Sequence, residues 1–139
     1  MAVATEAVLE AGAIQKARYG QEIEIYRKGV IDLVTEVDRT CEDAILRRLR
    51  SAFPHHDIVT EETQLAQTGS RYVWFVDPLD GTTNFAHGYP FFCTSVALTV
   101  DGVAVAGAVY DPLKDELFTA ERGAGAHLQS RDLRHRGPD

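Results

Sequence analysis

The stretch "VWFVDPLDGTTNF", Val73 to Phe85, runs large apolar residues straight into two aspartates, a glycine and two threonines. An apolar run with Trp74, Phe75 and Val76 reads as a strand covered on both faces. Residues three apart on a continuing strand would point to opposite faces. The Pro-Leu-Asp-Gly sequence is therefore read as a turn that folds Asp80 back towards Asp77. The chain holds its own control, because "DPLKD" at 111–115 repeats Asp-Pro-Leu without the following Gly-Thr-Thr. That second copy is expected to be an ordinary hairpin turn.

Two carboxylates brought together in a desolvated place repel unless a proton or cation neutralises them. A hard divalent ion such as Mg²⁺ is one solution, since it takes one or two carboxylates and keeps waters for a phosphate. The other reading is a capped turn in which Asp80 bonds its own backbone. Gly81-Thr82-Thr83-Asn84 adds close backbone approach and, if a helix starts there, free amides for an anion.

Working outward, "YVWFV" is preceded by the polar loop "TQLAQTGSR" and a short strand, "DIVTEE". Glu61 would stand beside Asp77 if those two strands are neighbours. After the aspartates come "TSVALTV", an Asp101-Gly102 turn, "VAVAGAVY", the "DPLKD" turn and "ELFTAE", which make an antiparallel meander. Upstream, Ala4, Ala7, Val8, Ala11 and Ile14 recur at helical spacing, with Gly20 placed to cap. "QEIEIYRKG" alternates as a half-buried strand and contains Lys28. "VIDLVTEVD" leads into a second helix with Cys41, Ile45, Leu49 and Ala52 on one face, closed by Pro54. Asp38 is read as its N-cap. The order implies an α+β fold, with helices packed on a largely antiparallel sheet.

At 139 residues the chain suffices for one domain, burying about 65–70% of its unfolded surface. A net charge of −7 argues against nucleic acid as partner. No run approaches the ~18 apolar residues of a membrane span. Cys41 and Cys93 read as reduced core residues, and the protein is expected to be cytoplasmic. His55, His56 and His87 lack zinc-ligand spacing.

Together, "DLVTEVD", "VTEET", "WFVDPLDGTTNFAHGYPF" and "VYDPLKDELFTAERGAGA" resemble, in order and spacing, the amino-terminal half of the inositol monophosphatase family. The resemblance covers nearly all of 5–126. It implies the first half of a layered α-β-α-β-α fold and a Mg²⁺-dependent phosphatase acting on inositol monophosphate or a related small phosphorylated alcohol. It also implies that Glu61, Asp77 and the Leu79 carbonyl hold a first Mg²⁺, with Asp77 and Asp80 at a second. Asp38 and Thr82 would orient and activate the attacking water. Gly81, Thr82 and Thr83 would receive the phosphate, with Lys28 helping there. A homodimer is implied for the full-length form.

The family chain is about twice this long, and no Trp-Asp pair follows here to complete the second metal. Residues 1–126 are accordingly read as a metal-binding half. Residues 127–139, "HLQSRDLRHRGPD" from His127, are read as an irregular tail of the kind a truncation or frameshift leaves. Impaired activity is expected of such a chain. Two other readings stand beside this one: a non-catalytic metal- or phosphate-binding fragment, and a haloacid-dehalogenase-like phosphatase in which Asp77 attacks. The single residue between the aspartates of that last pattern is two residues here.

Overall fold

The computed structural model describes residues 1–21, 25–28, 32–61, 63–129 and 131–132, with backbone alone at 25–28, 32–34 and 131–132. Among the described residues three helices, α1 (Ala2–Arg18), α2 (Glu36–Ala52) and α3 (Thr82–Ala86), accompany nine strands. A two-stranded antiparallel sheet joins β1 (Ile25–Lys28) to β2 (Asp32–Thr35). The main sheet runs in order through β3 (Asp57–Thr60), β4 (Tyr72–Asp80), β5 (Cys93–Val100), β6 (Val103–Asp111), β7 (Glu116–Glu121), β8 (Gly125–Leu128) and β9 (Arg131–Asp132). Only the β3–β4 pair is parallel; the other five pairs are antiparallel.

The expected α+β layering is present. Helices α1 and α2 pack on each other and on one face of β4, β5 and β6. Val8, Ala11, Cys41, Ile45 and Leu49 from the helices meet Ile58, Trp74, Val76, Val96 and Ala108 from the sheet. Burial of a side chain such as Leu49 contributes about 1.5–3 kcal/mol. The packing is tightest at Gly12, where an added Cβ would stand 2.2 Å from the Tyr110 ring. Arg48 ties the helices together at the surface through Glu6 and Glu10.

The helical stripes differ from the reading at two points. Ile14 is half-buried and Gln15 is wholly buried in its place, while Ala52 is exposed near the end of α2. The α2 N-cap is Thr35, and Asp38 is the third helical residue. Thr35 Oγ1 accepts the Asp38 amide, and Asp38 Oδ2 accepts the Thr35 amide at 2.9 Å, which closes a capping box.

Strand β4 is covered on one face, not two. Trp74 and Val76 point into the helices, but Phe75 is 47% exposed and its parallel neighbour Val59 is 40% exposed. Among the described residues no element lies over that face, so an apolar run that reads as doubly covered has one open side. The sheet also continues past Ala126 into β8 and β9, where irregular chain is expected; His127 pairs with Thr119 and Asp132. At the 111–115 control, Asp111 Oδ1 accepts the amides of Leu113 and Lys114, so this second Asp-Pro-Leu does turn a hairpin. The Asp101-Gly102 turn has positive φ at both residues, as a two-residue hairpin requires.

Candidate active site

The first Asp-Pro-Leu does something else. Strand β4 does not turn after Asp77 but continues to Asp80 through a bulge: Asp77 pairs with Ser95 and Asp80 with Cys93. Three steps on β4 thus face two on β5. The extra residue restores parity, so Asp77 and Asp80 share the face carrying Ser95 and Cys93. This is how two carboxylates three apart converge on a strand. Pro78 has no amide to give to the ladder, which suits it to the irregular position.

Glu61 joins them because β3 and β4 are parallel with Thr60 opposite Val76, which brings the next residue, Glu61, beside Asp77. The two side chains hydrogen-bond. Two carboxyl groups can do so only if one keeps a proton. Burial, then the charges of Glu61 and Asp80, push the Asp77 carboxyl from 3.8 up to about 7. Asp77 Oδ1 is buried with no hydrogen-bond partner among the described residues.

On the other side of the bulge, Gly81 takes φ +93°, and an added Cβ would stand 2.9 Å from the Phe91 carbonyl oxygen. Glycine is therefore required at the turn into α3. The first amides of α3 have no carbonyl within the helix to bond, so they face outward as donors. Thr82 Oγ1 lies 2.8 Å from Asp38 Oδ1 and 3.0 Å from the Leu79 oxygen. It has one hydrogen and two acceptors, so it donates to one at a time. Asp38 is fully buried, and its other oxygen accepts from the Thr35 amide and hydroxyl.

Glu61, Asp77, the Leu79 carbonyl, Asp80, Gly81, Thr82 and Asp38 thus come to one place. Thr83 is exposed on α3, its carbonyl meeting His87 Nδ1 at 2.8 Å. The Lys28 side chain lies outside the described residues. A shallow cavity of about 300 Å³ opens on the uncovered sheet face, with Glu61, Phe75, Asp77 and Ser95 in its lining.

Does the donor set fit a cation? All its atoms are oxygens, which suits a hard divalent ion. The orphaned Asp77 oxygen and the proton held between Asp77 and Glu61 both mark a place where positive charge is wanted. Among the described residues no three acid, His or Cys side chains are drawn together tightly enough to hold a metal outright. Glu61 and Asp77 touch, whereas Asp80 acts on Asp77 through its charge. The oxygen chemistry of the set fits a hard cation.

Two neighbours lie outside the sequence reading of the site. Thr35 orients Asp38, and its signal was Thr-x-x-Asp, the spacing of a capping box. Cys93 Sγ is 4.0 Å from Asp80 Oδ2, and burial, then Asp80, push the thiol up to about 11, which keeps it protonated.

A carboxylate cluster thus stands at the end of a core strand, beside the start of α3. The profile described as "Inositol monophosphatase family" matches residues 1–139. Inositol monophosphatase 2 of Solanum lycopersicum is 47% identical over 137 residues, spanning 95% of this chain and 52% of that protein. Two solved structures superpose closely. The extragenic suppressor protein suhB of Bartonella henselae has a TM-score of 0.92 at 42% identity, over 96% of this chain and 53% of that one. Inositol monophosphatase from Anabaena has a TM-score of 0.84 at 38% identity, over 99% and 50%. The chain belongs to the inositol monophosphatase family. It spans about half the length of the relatives it matches.

Proposed function

We propose that this chain carries the Mg²⁺- and phosphate-binding half of a phosphatase that hydrolyses a small phosphorylated alcohol, of which inositol monophosphate is the first candidate. One observation carries the reading: one Asp77 carboxyl oxygen is buried without a partner among the described residues, while the carboxyl hydrogen-bonds Glu61 and feels the charge of Asp80. Glu61, Asp77 and the Leu79 carbonyl would hold one Mg²⁺, and Asp77 with Asp80 a second. Bound there, Mg²⁺ supplies the positive charge that offsets the carboxylates and phosphate and acidifies water.

The chain's own groups do the rest. Thr82 donates its hydrogen to Asp38, and its oxygen accepts one from water, holding that water for in-line attack. The water oxygen bonds phosphorus while the bond from phosphorus to the alcohol oxygen breaks, and the departing alkoxide takes its proton from solvent water. The water's proton passes to Thr82 as the Thr82 proton passes to Asp38. Amides at Gly81, Thr82 and Thr83 receive the phosphate oxygens. Attack by Asp77 itself, as in haloacid-dehalogenase-like enzymes, has less support, because one Asp77 oxygen is buried and the carboxyl is engaged with Glu61.

No helix among the described residues is long and apolar enough to cross a membrane. Phosphate release from inositol 1-phosphate, followed while Mg²⁺ is titrated, tests the proposal. Metal binding with turnover supports the hydrolase. Binding without turnover at high protein concentration makes the chain a metal-binding half that needs more protein around it.

A further inference from the structure

We propose that Gln15 is a positioning residue for the carboxylate bulge, bridging the two strands that carry it. This rests on the metal-site reading above for its consequence, though not for its geometry. Gln15 lies on the buried face of α1 and is 0% exposed. Its Nε2 donates to the Pro78 carbonyl at 2.8 Å and reaches the Cys93 carbonyl at 3.5 Å. Pro78 is the residue inside the bulge, between Asp77 and Leu79, and Cys93 is the β5 residue opposite Asp80.

Both neighbours are carbonyl oxygens, so the orientation of the amide is fixed: nitrogen towards the bulge, oxygen away from it. The Oε1 atom is buried with no hydrogen-bond partner among the described residues, although the Cys41 thiol lies against the Gln15 amide. An apolar side chain of the same length would fill this space without an orphaned oxygen. What the carboxamide alone supplies is two donor hydrogens aimed across the bulge. Those hydrogens point at carbonyls on the two sides of an irregular step of the ladder, where Pro78 has no amide of its own to give.

The consequence is rigidity where the site needs it. The Pro78 carbonyl fixes the peptide plane joining Pro78 to Leu79, and through it the direction of the next carbonyl, that of Leu79. The Cys93 carbonyl fixes the strand opposite Asp80. Groups that orient ligating atoms from behind tune metal affinity strongly.

The test compares the chain with Gln15→Met, which conserves length and volume but removes the donors, and with Gln15→Leu. Mg²⁺ affinity by calorimetry is expected to fall about tenfold or more in both. Amide exchange, measured without metal, is expected to speed up at Leu79, Asp80 and Gly81 while Val96 and Ala108 stay unchanged. If the unsubstituted chain binds no Mg²⁺, the metal reading fails, and the exchange pattern still decides the role of Gln15. Unchanged exchange at 79–81 would overturn the proposal. So would a uniform acceleration across β5 and β6, which would make Gln15 a core residue only, and so would Mg²⁺ affinity equal to that of the unsubstituted chain.

Discussion

Thr82 Oγ1 and Asp38 Oδ1 stand 2.8 Å apart across 44 residues of sequence, joining the start of α3 to the first turn of α2. The contact is possible because α3 packs against β2, the strand that runs directly into the Thr35 cap. Asp38 is held from behind by Thr35, so the acceptor offered to Thr82 is fixed before any ligand arrives.

Replacing Asp38 by Asn leaves one carboxamide oxygen where two carboxylate oxygens accept, so either the Thr35 donors or Thr82 Oγ1 must face an NH2 group. Urea unfolding should show a loss of about 1–3 kcal/mol, the cost of a buried group left unsatisfied. Thr35→Ala should cost less, about 1 kcal/mol, as loss of an N-cap does. Equal stability of Asp38→Asn and the parent chain would mean that the buried carboxylate is not the acceptor described.

Gly81→Ala tests the turn between bulge and helix. It forces a side chain into φ +93° and against the Phe91 carbonyl oxygen. A loss of about 1–3 kcal/mol is expected, measurable as a lower unfolding midpoint in urea. Substitution at Gly102 should cost less, since an added Cβ there meets nothing within 4 Å, although its φ of +80° still carries strain.

His56 gives a prediction at acid pH. It stacks between Phe53 and Tyr72, and Trp74 Nε1 donates to its Nδ1 at 3.0 Å, so the ring must be neutral to accept. Burial, and secondarily His55, hold its pKa below 6.5. A lowered folded pKa contributes stability that is present above 6.5 and is lost as pH falls through the folded value. His56→Leu should therefore flatten the acid limb of a plot of melting temperature against pH. An unchanged acid limb would remove His56 as its source.

The sequence made the apolar strand, the meander and the acids legible because each is a local pattern: a run, an alternation, a motif. That β3 and β4 are neighbours is readable from the single loop between them, but their parallel pairing, which brings Glu61 to Asp77, was not, because a loop connection equally serves an antiparallel hairpin. The bulge was not legible, because register is decided by what β5 offers to β4, and a Pro-Leu-Asp-Gly string equally spells a turn. Gln15 was hidden for a different reason: a polar residue at the edge of an alanine-rich stripe reads as solvated until its carbonyl partners are in view. The open face of β4 was misread since an apolar side chain carries no mark of whether a layer lies above it.

The raised Asp77 pKa adds to the metal-free chain a pH slope opposite in sign to that of His56. The folded state holds this proton more tightly than the unfolded one, so stability is fullest below 3.8 and is lost as pH rises to about 7. On the proposed function Mg²⁺ would replace the proton, so its stabilising effect should be largest above that range. In Asp77→Asn both the slope and the gain from Mg²⁺ should vanish, with the fold intact by circular dichroism.

The most direct test of the central claim is a calorimetric Mg²⁺ titration of the chain and of Asp77→Asn, above the pH at which Asp77 titrates. Saturable binding by the chain that is lost in Asp77→Asn is the predicted result. Equal binding by both, or none by the unsubstituted chain, would contradict the assignment of this carboxylate cluster as a cation site.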